Sequence, residues 1–254
     1  MQGHVYPAVF PFVRGAPLFL TPAMDAGNPA PEDDPGRLLG TPWDRLIPHW
    51  QTGASRTAYL LSGGRHAVSV AVLWPSAGLL AEGTPSGGGA GEQIEAGVGA
   101  VGAALADAQI DYDFVDELAL GPEGALRCGD PPYRAVILPP VPLLAPGTLD
   151  ALRRFTAGGG VLFASGSLPS RSLDSEPGAV RAGVAALFGV DPVAPTKETP
   201  LPATPPRPGA ARFIPGAPVP ALVAAVASVV LRDITLAEPA PALRVLHRRR
   251  GGAE

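Results

Sequence analysis

The sequence predicts an α/β fold in which helices cover both faces of a parallel sheet. The clearest indication is the stretch Tyr133–Gly166, in which two apolar runs flank one amphipathic segment. The first run, Ala135–Leu138, is continuously apolar and is ended by two prolines, which is typical of a strand buried on both faces. The second run, Val161–Ala164, follows the amphipathic segment. The stretch therefore predicts a right-handed βαβ unit.

The segment between these two runs predicts a helix with defined ends. Thr148 is placed to cap its N-terminus. Leu149, Leu152 and Phe155 recur at helical spacing and predict the buried face. The three glycines of 158–160 predict its end, because glycine adopts the left-handed conformation that other residues resist.

Further patterns extend this unit in both directions. A first strand is predicted at His66–Trp74, a second at Asp111–Asp116, and a short fifth strand at Val190–Val193, after the two strands of the central unit. Helical spacing is found at 52–63, 94–105, 179–188 and 219–231. Strands alternating with helices are typical of a parallel sheet with helices on both faces.

Composition changes along the chain predict three parts. Residues 1–50 carry aromatic and apolar side chains without a helical period, which suggests packing against a preceding domain. Residues 51–195 hold the α/β domain. Residues 196–254 begin with a proline-rich linker, since such segments favour extended chain over packing, and end in what is expected to be the start of a following β-domain.

Charge, cysteine content and hydropathy argue against several classes of partner and site. The net charge is −4, and the basic residues are scattered except at the C-terminus, so we expect no nucleic-acid partner. A single cysteine, Cys128, makes neither an internal disulfide nor a cysteine-based zinc site. The apolar stretch Leu222–Leu231 is too short for a membrane span, so no membrane partner is expected. No signal peptide is visible, and the compartment stays open.

One glycine pattern matches a nucleotide-binding fingerprint. Gly97, Gly99 and Gly102 fit G-x-G-x-x-G. That fingerprint requires glycines directly after a strand, where the turn brings a pyrophosphate to the helix N-terminus. Here the glycines lie well beyond Trp74 and within a helical pattern, which favours close helix packing over cofactor binding. We expect no cofactor.

Two other features of the sequence are candidates for a ligand site and for a nucleophile. The glycines of 87–89 follow the first strand, together with Thr84 and Ser86, where related folds bind phosphate. The loop has no basic residue, so we expect no ligand role. A nucleophilic cysteine would occupy the sharp turn after the central strand, but Pro139 and Pro140 occupy that position, and Cys128 precedes the strand.

Acidic and histidine residues are further candidates for catalytic and metal-binding roles. The carboxylates of Asp111, Asp113, Asp116 and Glu117 form a dense cluster that could serve glycoside hydrolysis, although solvated carboxylates are the favoured interpretation. The histidines lack metal-ligand spacing, so no metal site is expected. They are His4, His49, His66 and His247.

Several stretches, taken in chain order, resemble one enzyme family. They are Tyr59–Gly64, Val70–Pro75, Ile110–Glu117, Tyr133–Pro140, Ala157–Val161 and Leu246–Arg249. The set resembles glycoside hydrolase family 106, the α-L-rhamnosidase-like group. More loosely, it resembles β-galactosidase-like enzymes whose catalytic barrel is followed by an amidotransferase-like domain. The resemblance implies a flavodoxin-like or class I glutamine-amidotransferase-like sheet.

The resemblance also implies a role and an arrangement. Residues 1–50 would be the tail of a (β/α)₈ barrel and the link from it, with His4 and Tyr6 near the sugar site. Sugar-binding β-domains would follow Glu254, so the chain would be a fragment. No catalytic acid or nucleophile carries over, because in these enzymes the catalytic carboxylates belong to the barrel.

We therefore expect a non-catalytic structural domain of a glycoside hydrolase acting on polysaccharide or glycoside substrates. Its partners would be carbohydrate, through the parent enzyme, and other copies through oligomer contacts. The alternative is a free-standing flavodoxin-like protein that binds a phosphate-bearing small molecule. A carbohydrate-binding module is a third candidate, disfavoured because no exposed row of aromatic residues is visible.

Overall fold

The computed structural model describes residues 44–84, 89–120, 133–173, 176–193, 209–216 and 219–251. The chain divides into two compact units. The larger unit is Ala67–His247, and the smaller unit combines Met1–His66 with Arg248–Glu254.

The described strands and helices are numbered in chain order. The strands are β1 (Arg65–His66), β2 (Val70–Trp74), β3 (Asp113–Asp116), β4 (Ala135–Leu138), β5 (Leu143–Leu144), β6 (Val161–Gly166), β7 (Arg171–Ser172), β8 (Ala211–Pro215) and β9 (Arg248–Arg249). The helices are α1 (Ile47–Ser62), α2 (Ser76–Glu82), α3 (Gly89–Asp107), α4 (Thr148–Ala157), α5 (Pro177–Phe188) and α6 (Val219–Ala227). A short 3₁₀ helix, Glu117–Leu120, follows β3.

The larger unit is built on a five-stranded sheet in the order β3-β2-β4-β6-β8. Every neighbouring pair in this sheet is parallel. Counted within the sheet alone, the strand order is 2-1-3-4-5, which is the flavodoxin-like order. The predicted α/β fold with a flavodoxin-like parallel sheet is therefore confirmed.

Both faces of the sheet are covered, as the apolar run of β4 predicted. All four residues of this strand are fully buried. Val136 and Leu138 pack in the cluster that contains Leu152 from α4 and residues of α5. Ala135 and Ile137 face the opposite cluster, to which α3 and α6 contribute. A strand with this environment has no polar face, which is why its sequence shows no alternation.

The fifth strand of the sheet is not where the sequence predicted it. Val190–Val193 forms no strand, because the Asp191 carboxylate accepts a hydrogen bond from the Val193 N–H at 3.1 Å and holds a local turn. The edge strand is β8, which lies beyond residue 195, in the segment interpreted as a linker. Phe213 and Ile214 are fully buried in the two clusters, and this burial offsets the low strand propensity of the prolines around β8.

Helix α4 occupies the predicted position but begins differently. Its N-cap is Gly147, in the left-handed conformation with φ of 76°. Thr148 is therefore the first helical residue and not the cap, and its hydroxyl points to the carboxylate of Glu117. At the other end Gly159, with φ of 94°, supplies the expected left-handed residue.

In the smaller unit, α1 precedes a two-stranded antiparallel ribbon of β1 and β9. The predicted first strand at His66–Trp74 is therefore split. Its first residue, His66, pairs with Arg248 in the ribbon, and only Val70–Trp74 enters the sheet. The Arg248 guanidinium donates to the carbonyl oxygens of Gly63 and Gly64 at 2.7 and 2.8 Å, which fixes the ribbon to the end of α1.

Candidate functional site

The expected position of a ligand-binding site is the carboxyl edge of the sheet, between β2 and β4. Ligands of open α/β sheets bind outside the carboxyl ends of the strands, where the strand order reverses. In this sheet the chain goes from β2 outward to β3 and then returns to β4 on the other side of β2. The segments after β2 and after β4 therefore form the walls of the expected crevice.

These two segments pack directly against each other. Ala77 at the start of α2 and Val141 after β4 are both completely buried. A Cβ atom at Gly78 would lie 2.8 Å from Val141 Cγ2, so the absence of a side chain at residue 78 permits this contact. Pro140 lies similarly close to Gly97 of α3, 3.3 Å from the position that a Cβ would take. The switch point is thus filled by the chain's own apolar side chains.

A buried carboxylate joins the loops at this edge. Glu117, directly after β3, is only 1% exposed. Its Oε1 accepts a hydrogen bond from the Ala77 N–H at 2.8 Å, and its Oε2 accepts one from the Ala145 N–H at 3.0 Å. The Thr148 hydroxyl lies 3.4 Å from Oε2. One side chain therefore accepts hydrogen bonds from two backbone N–H groups, one in the first turn of α2 and one in the segment that precedes α4. N–H groups in the first turn of a helix have no partner within the helix.

The environment of Glu117 changes its titration. Burial is the largest influence and raises the pKa above its ordinary value of 4.5. The hydrogen bonds from Ala145, Ala77 and Thr148 lower the pKa, while the charge of nearby Asp116 raises it further. The net direction is upward. Sequence reasoning grouped Glu117 with solvated carboxylates, and the structure corrects that interpretation.

The raised pKa predicts a pH dependence of stability. A folded-state pKa above the unfolded value means that the folded chain binds more protons, so the free energy of unfolding falls as pH rises from below 4.5 through the folded-state pKa. Glu117→Gln cannot titrate and removes this contribution. We expect the stability of the wild type relative to Glu117→Gln to decrease with rising pH, measured by urea unfolding between pH 4 and 8. A constant or increasing difference would contradict the assignment.

The other carboxylates of the acidic cluster are also engaged in the fold. Asp111 Oδ2 accepts a hydrogen bond from the His247 N–H at 2.9 Å, and Asp113 Oδ2 accepts one from the Tyr133 hydroxyl at 2.8 Å. Asp111 precedes β3, so only Asp113 and Asp116 belong to the strand. These bonds connect β3 to the C-terminal segment and to the start of β4. They indicate structural roles for Asp111 and Asp113.

The glycine fingerprint lies inside α3 and not after a strand. The helix begins at Gly89, so Gly97, Gly99 and Gly102 are all interior residues. A Cβ at Gly102 would lie 2.5 Å from the Tyr112 hydroxyl oxygen, whereas one at Gly99 would meet nothing within 4 Å. The expected role of these glycines in close packing therefore applies to Gly97 and Gly102.

This difference between two glycines of one helix gives a paired prediction. Gly102→Ala overpacks the contact with Tyr112, which costs about 1–3 kcal/mol, against a gain in helix propensity of up to about 1 kcal/mol. Gly99→Ala has the propensity gain alone. We expect Gly102→Ala to destabilise the protein and Gly99→Ala to stabilise it in urea unfolding. If both substitutions changed the free energy of unfolding in the same direction, the assignment of Gly102 to a packing contact would be wrong.

Aromatic side chains cluster at the β3 edge of the sheet. The Trp74 and Phe114 ring centroids are 5.5 Å apart and those of Tyr112 and Phe114 5.2 Å apart, both in edge-to-face contact. Phe114 is 44% exposed. Because the rings pack on one another at steep angles, they do not form the coplanar row that would favour a carbohydrate-binding module.

Several predicted site residues lie outside the described residues. They are His4, Tyr6, Ser86, Gly87, Gly88 and Cys128. Among the other histidines, His49 is exposed on α1, His66 lies in β1, and His247 Nδ1 is 2.8 Å from Asp233 Oδ1.

The described residues contain neither a metal-ligand cluster nor a membrane-spanning helix. Within the described ranges, no group of three or more histidine, cysteine or acidic side chains is arranged to hold a metal ion. No described helix has both the length and the apolar character needed to cross a bilayer.

Comparisons with known proteins found structural similarity only. No family model matches the chain, and no curated protein matches it. A cold-adapted β-galactosidase from Rahnella sp. R3 is similar over 61% of this chain and 22% of its own, at 20% identity and a TM-score of 0.42. A GH42 β-galactosidase from G. stearothermophilus is similar over 63% of this chain and 22% of its own, at 15% identity and a TM-score of 0.42.

A further β-galactosidase, from Bacillus circulans sp. alkalophilus, is similar over 55% of this chain at 17% identity and a TM-score of 0.38. The chain spans about a fifth of the length of these solved proteins, between 21% and 22%.

Proposed function

We propose that this chain is a non-catalytic structural domain of a glycoside hydrolase that acts on polysaccharide or glycoside substrates. The observation that carries the non-catalytic role is the filled switch point between β2 and β4. Where this fold type binds ligands, Ala77 and Val141 are completely buried and the Glu117 carboxylate is committed to backbone donors. The ordered resemblance of six stretches to the α-L-rhamnosidase-like group supports the enzyme family.

The domain would act by bracing its neighbours in the parent enzyme. A barrel site is assembled from the ends of several strands, so its geometry depends on rigid support. A sheet covered on both faces offers such support without chemistry of its own. In this proposal the outer surfaces of the domain contact the barrel, the β-domains that follow, and other copies of the enzyme, while carbohydrate contacts the barrel.

Hydrolysis assays test this proposal. The purified chain and the parent-length protein are assayed side by side on an aryl α-L-rhamnoside and an aryl β-galactoside. We expect no turnover of either substrate by this chain and turnover of one of them by the parent. The substrate that is cleaved decides between an α-L-rhamnosidase-like and a β-galactosidase-like parent. Turnover by the isolated chain would overturn the non-catalytic role, and Asp111 and Asp113 would then be substituted first.

The strand order favours a second candidate, a free-standing flavodoxin-like protein with a phosphate-bearing ligand. Proteins with the order 2-1-3-4-5 bind such a ligand at the switch point. Here the packing of Val141 on Gly78 fills that point, and Glu117 places a carboxylate beside it. Titration of the chain with flavin mononucleotide and with inorganic phosphate, followed by amide NMR, separates the candidates. Shifts at residues 75–78 and 139–141 would favour the second.

A further inference from the structure

The end of α3 has a backbone conformation that is unusual for the residue at that position. The Gln109 N–H donates to the Ala106 carbonyl oxygen at 3.1 Å, and the Ile110 N–H donates to that of Leu105 at 2.9 Å. These two bonds form a Schellman motif, whose left-handed position most often holds glycine. Here that position holds Gln109, with φ of 55°, the one non-glycine residue of the described ranges that has a positive φ. A side chain in this conformation costs free energy, so a specific interaction must favour glutamine here.

That interaction is a contact between the Gln109 side chain and a loop far away in the sequence. Gln109 is 8% exposed. Its Nε2 donates to the carbonyl oxygens of Ala240 and Leu243, at 2.9 and 3.3 Å, and to that of Asp107 at 2.7 Å. Ala240 and Leu243 belong to one turn, because the Leu243 N–H donates to the Ala240 carbonyl oxygen at 2.9 Å. Arg244, the next residue, adds an ion pair with Asp107 at 2.8 Å. Gln109 and Asp107 therefore hold this turn against the end of α3.

The loop that contains this turn, residues 233–247, is an Ω-loop, a surface loop whose ends lie close together. Its ends meet at a side-chain pair, in which Asp233 Oδ1 lies 2.8 Å from His247 Nδ1. The His247 backbone fixes this base further, since its N–H donates to Asp111 Oδ2 and its carbonyl oxygen accepts from the Ala67 N–H, both at 2.9 Å. None of residues 233–247 is buried, and none lies in a helix or a strand. The loop is therefore attached at its base and at its tip, with little apolar burial.

We propose that this Ω-loop is a flap that opens at its tip while its base, the end of α3 and the sheet stay folded, and that Gln109 is its latch. Opening breaks the two Gln109 bonds to the tip and the ion pair of Arg244, interactions that each contribute modestly to stability. It takes no buried side chain of the flap into solvent, so it requires far less free energy than unfolding of the sheet. The open flap frees the Gln109 carboxamide. This device is independent of the proposed glycoside hydrolase function.

Amide hydrogen exchange in the full chain tests the flap. The Leu243 N–H reports on the tip, the His247 N–H on the base and the β4 amides on the sheet. In the wild type, Leu243 should be protected, yet exchange faster than His247 and the β4 amides. Its exchange should also be nearly independent of low urea concentrations, because a local opening exposes little surface.

Two substitutions of the latch separate its side chain from its backbone conformation. Gln109→Gly removes the carboxamide and the backbone strain. Gln109→Asn keeps a carboxamide and a residue that tolerates the left-handed conformation, but its side chain is one methylene too short for the tip. Both should speed the exchange of Leu243 about tenfold or more relative to the β4 amides, because the hydrogen bonds to the tip are lost. Gln93→Asn, the same shortening at an exposed position of α3, should leave this ratio unchanged.

The expected result is therefore a change at Leu243 with the exchange of His247 unchanged relative to the β4 amides. Wild-type exchange of Leu243 as slow as that of the β4 amides would overturn the flap, since the tip would then open only with the sheet. Equal changes at Leu243, His247 and the β4 amides in both Gln109 variants would show a merely structural residue and overturn the latch. An unchanged Leu243 in these variants, or an equal effect of Gln93→Asn, would overturn it as well.

Discussion

A chain that stops after residue 195 should fail to fold. The removed part contains β8 and α6, whose residues Phe213, Ile214, Leu222 and Val226 are each at most 1% exposed. Burying a side chain of this kind stabilises a protein by about 1.5–3 kcal/mol, so their loss removes about 6–12 kcal/mol. That is comparable with the whole stability of a typical domain, about 5–15 kcal/mol.

Circular dichroism and urea unfolding of the shortened chain test this prediction. In the full-length chain, Phe213→Ala removes only part of the same buried surface and should have a smaller effect. Phe213→Ala should cost about 3–5 kcal/mol, as for other buried phenylalanines. Leu231→Ala, at a position that is 82% exposed, should change stability by less than about 0.5 kcal/mol. Cooperative unfolding of the shortened chain at wild-type urea concentrations would show that β8 is dispensable.

Replacing Glu117 by alanine should have the second large effect. The substitution leaves the buried N–H groups of Ala77 and Ala145 without their acceptor. Each unsatisfied buried donor costs about 1–3 kcal/mol, so the two together predict a loss of about 2–6 kcal/mol. The loss should exceed that of Glu117→Gln, whose side-chain oxygen can still accept from one of the two donors.

The matched control is Glu95→Ala, which removes an exposed carboxylate from α3 and should change stability by less than about 0.5 kcal/mol. Urea unfolding near neutral pH measures all three variants. If Glu117→Ala were as stable as Glu95→Ala, the buried carboxylate would have no role in joining the loops.

The centre of the fold could be predicted because its signals are local. The apolar run of β4, the spacing of Leu149, Leu152 and Phe155, and the glycines after α4 each constrain the backbone within a few residues. The left-handed Gly159 confirms the predicted end of the helix. Strands buried on both faces also have a composition that few other structures share.

The edge strand and the buried carboxylate could not be predicted, because their signals are not local. β8 lies among prolines, and its place in the sheet depends on pairing with β6, far away in the sequence. Glu117 is buried through donors 40 and 28 residues away. Nothing in DYDFVDEL distinguishes it from the exposed Asp116 beside it, except its position directly after the strand.

The sequence predicts that the glycines of the fingerprint serve helix packing, but it does not predict which of them contact a neighbouring side chain. The distance of the fingerprint from the strand at 70–74 indicated helix packing over nucleotide binding, and α3 runs through all three positions. Which of them contact a neighbour depends on Tyr112 and Pro140, two side chains that approach α3 only in the folded chain.

Amide hydrogen exchange at Ala77 and Ala145 tests most directly the claim that the switch point of the sheet is closed. If Glu117 binds both N–H groups in a buried setting, their exchange requires global unfolding and should be as slow as that of the β4 amides. One of the two amides should exchange faster in Glu117→Gln, and both should exchange faster in Glu117→Ala. Rapid exchange of both in the wild type, with the β4 amides still protected, would mean that the edge opens and can admit a ligand.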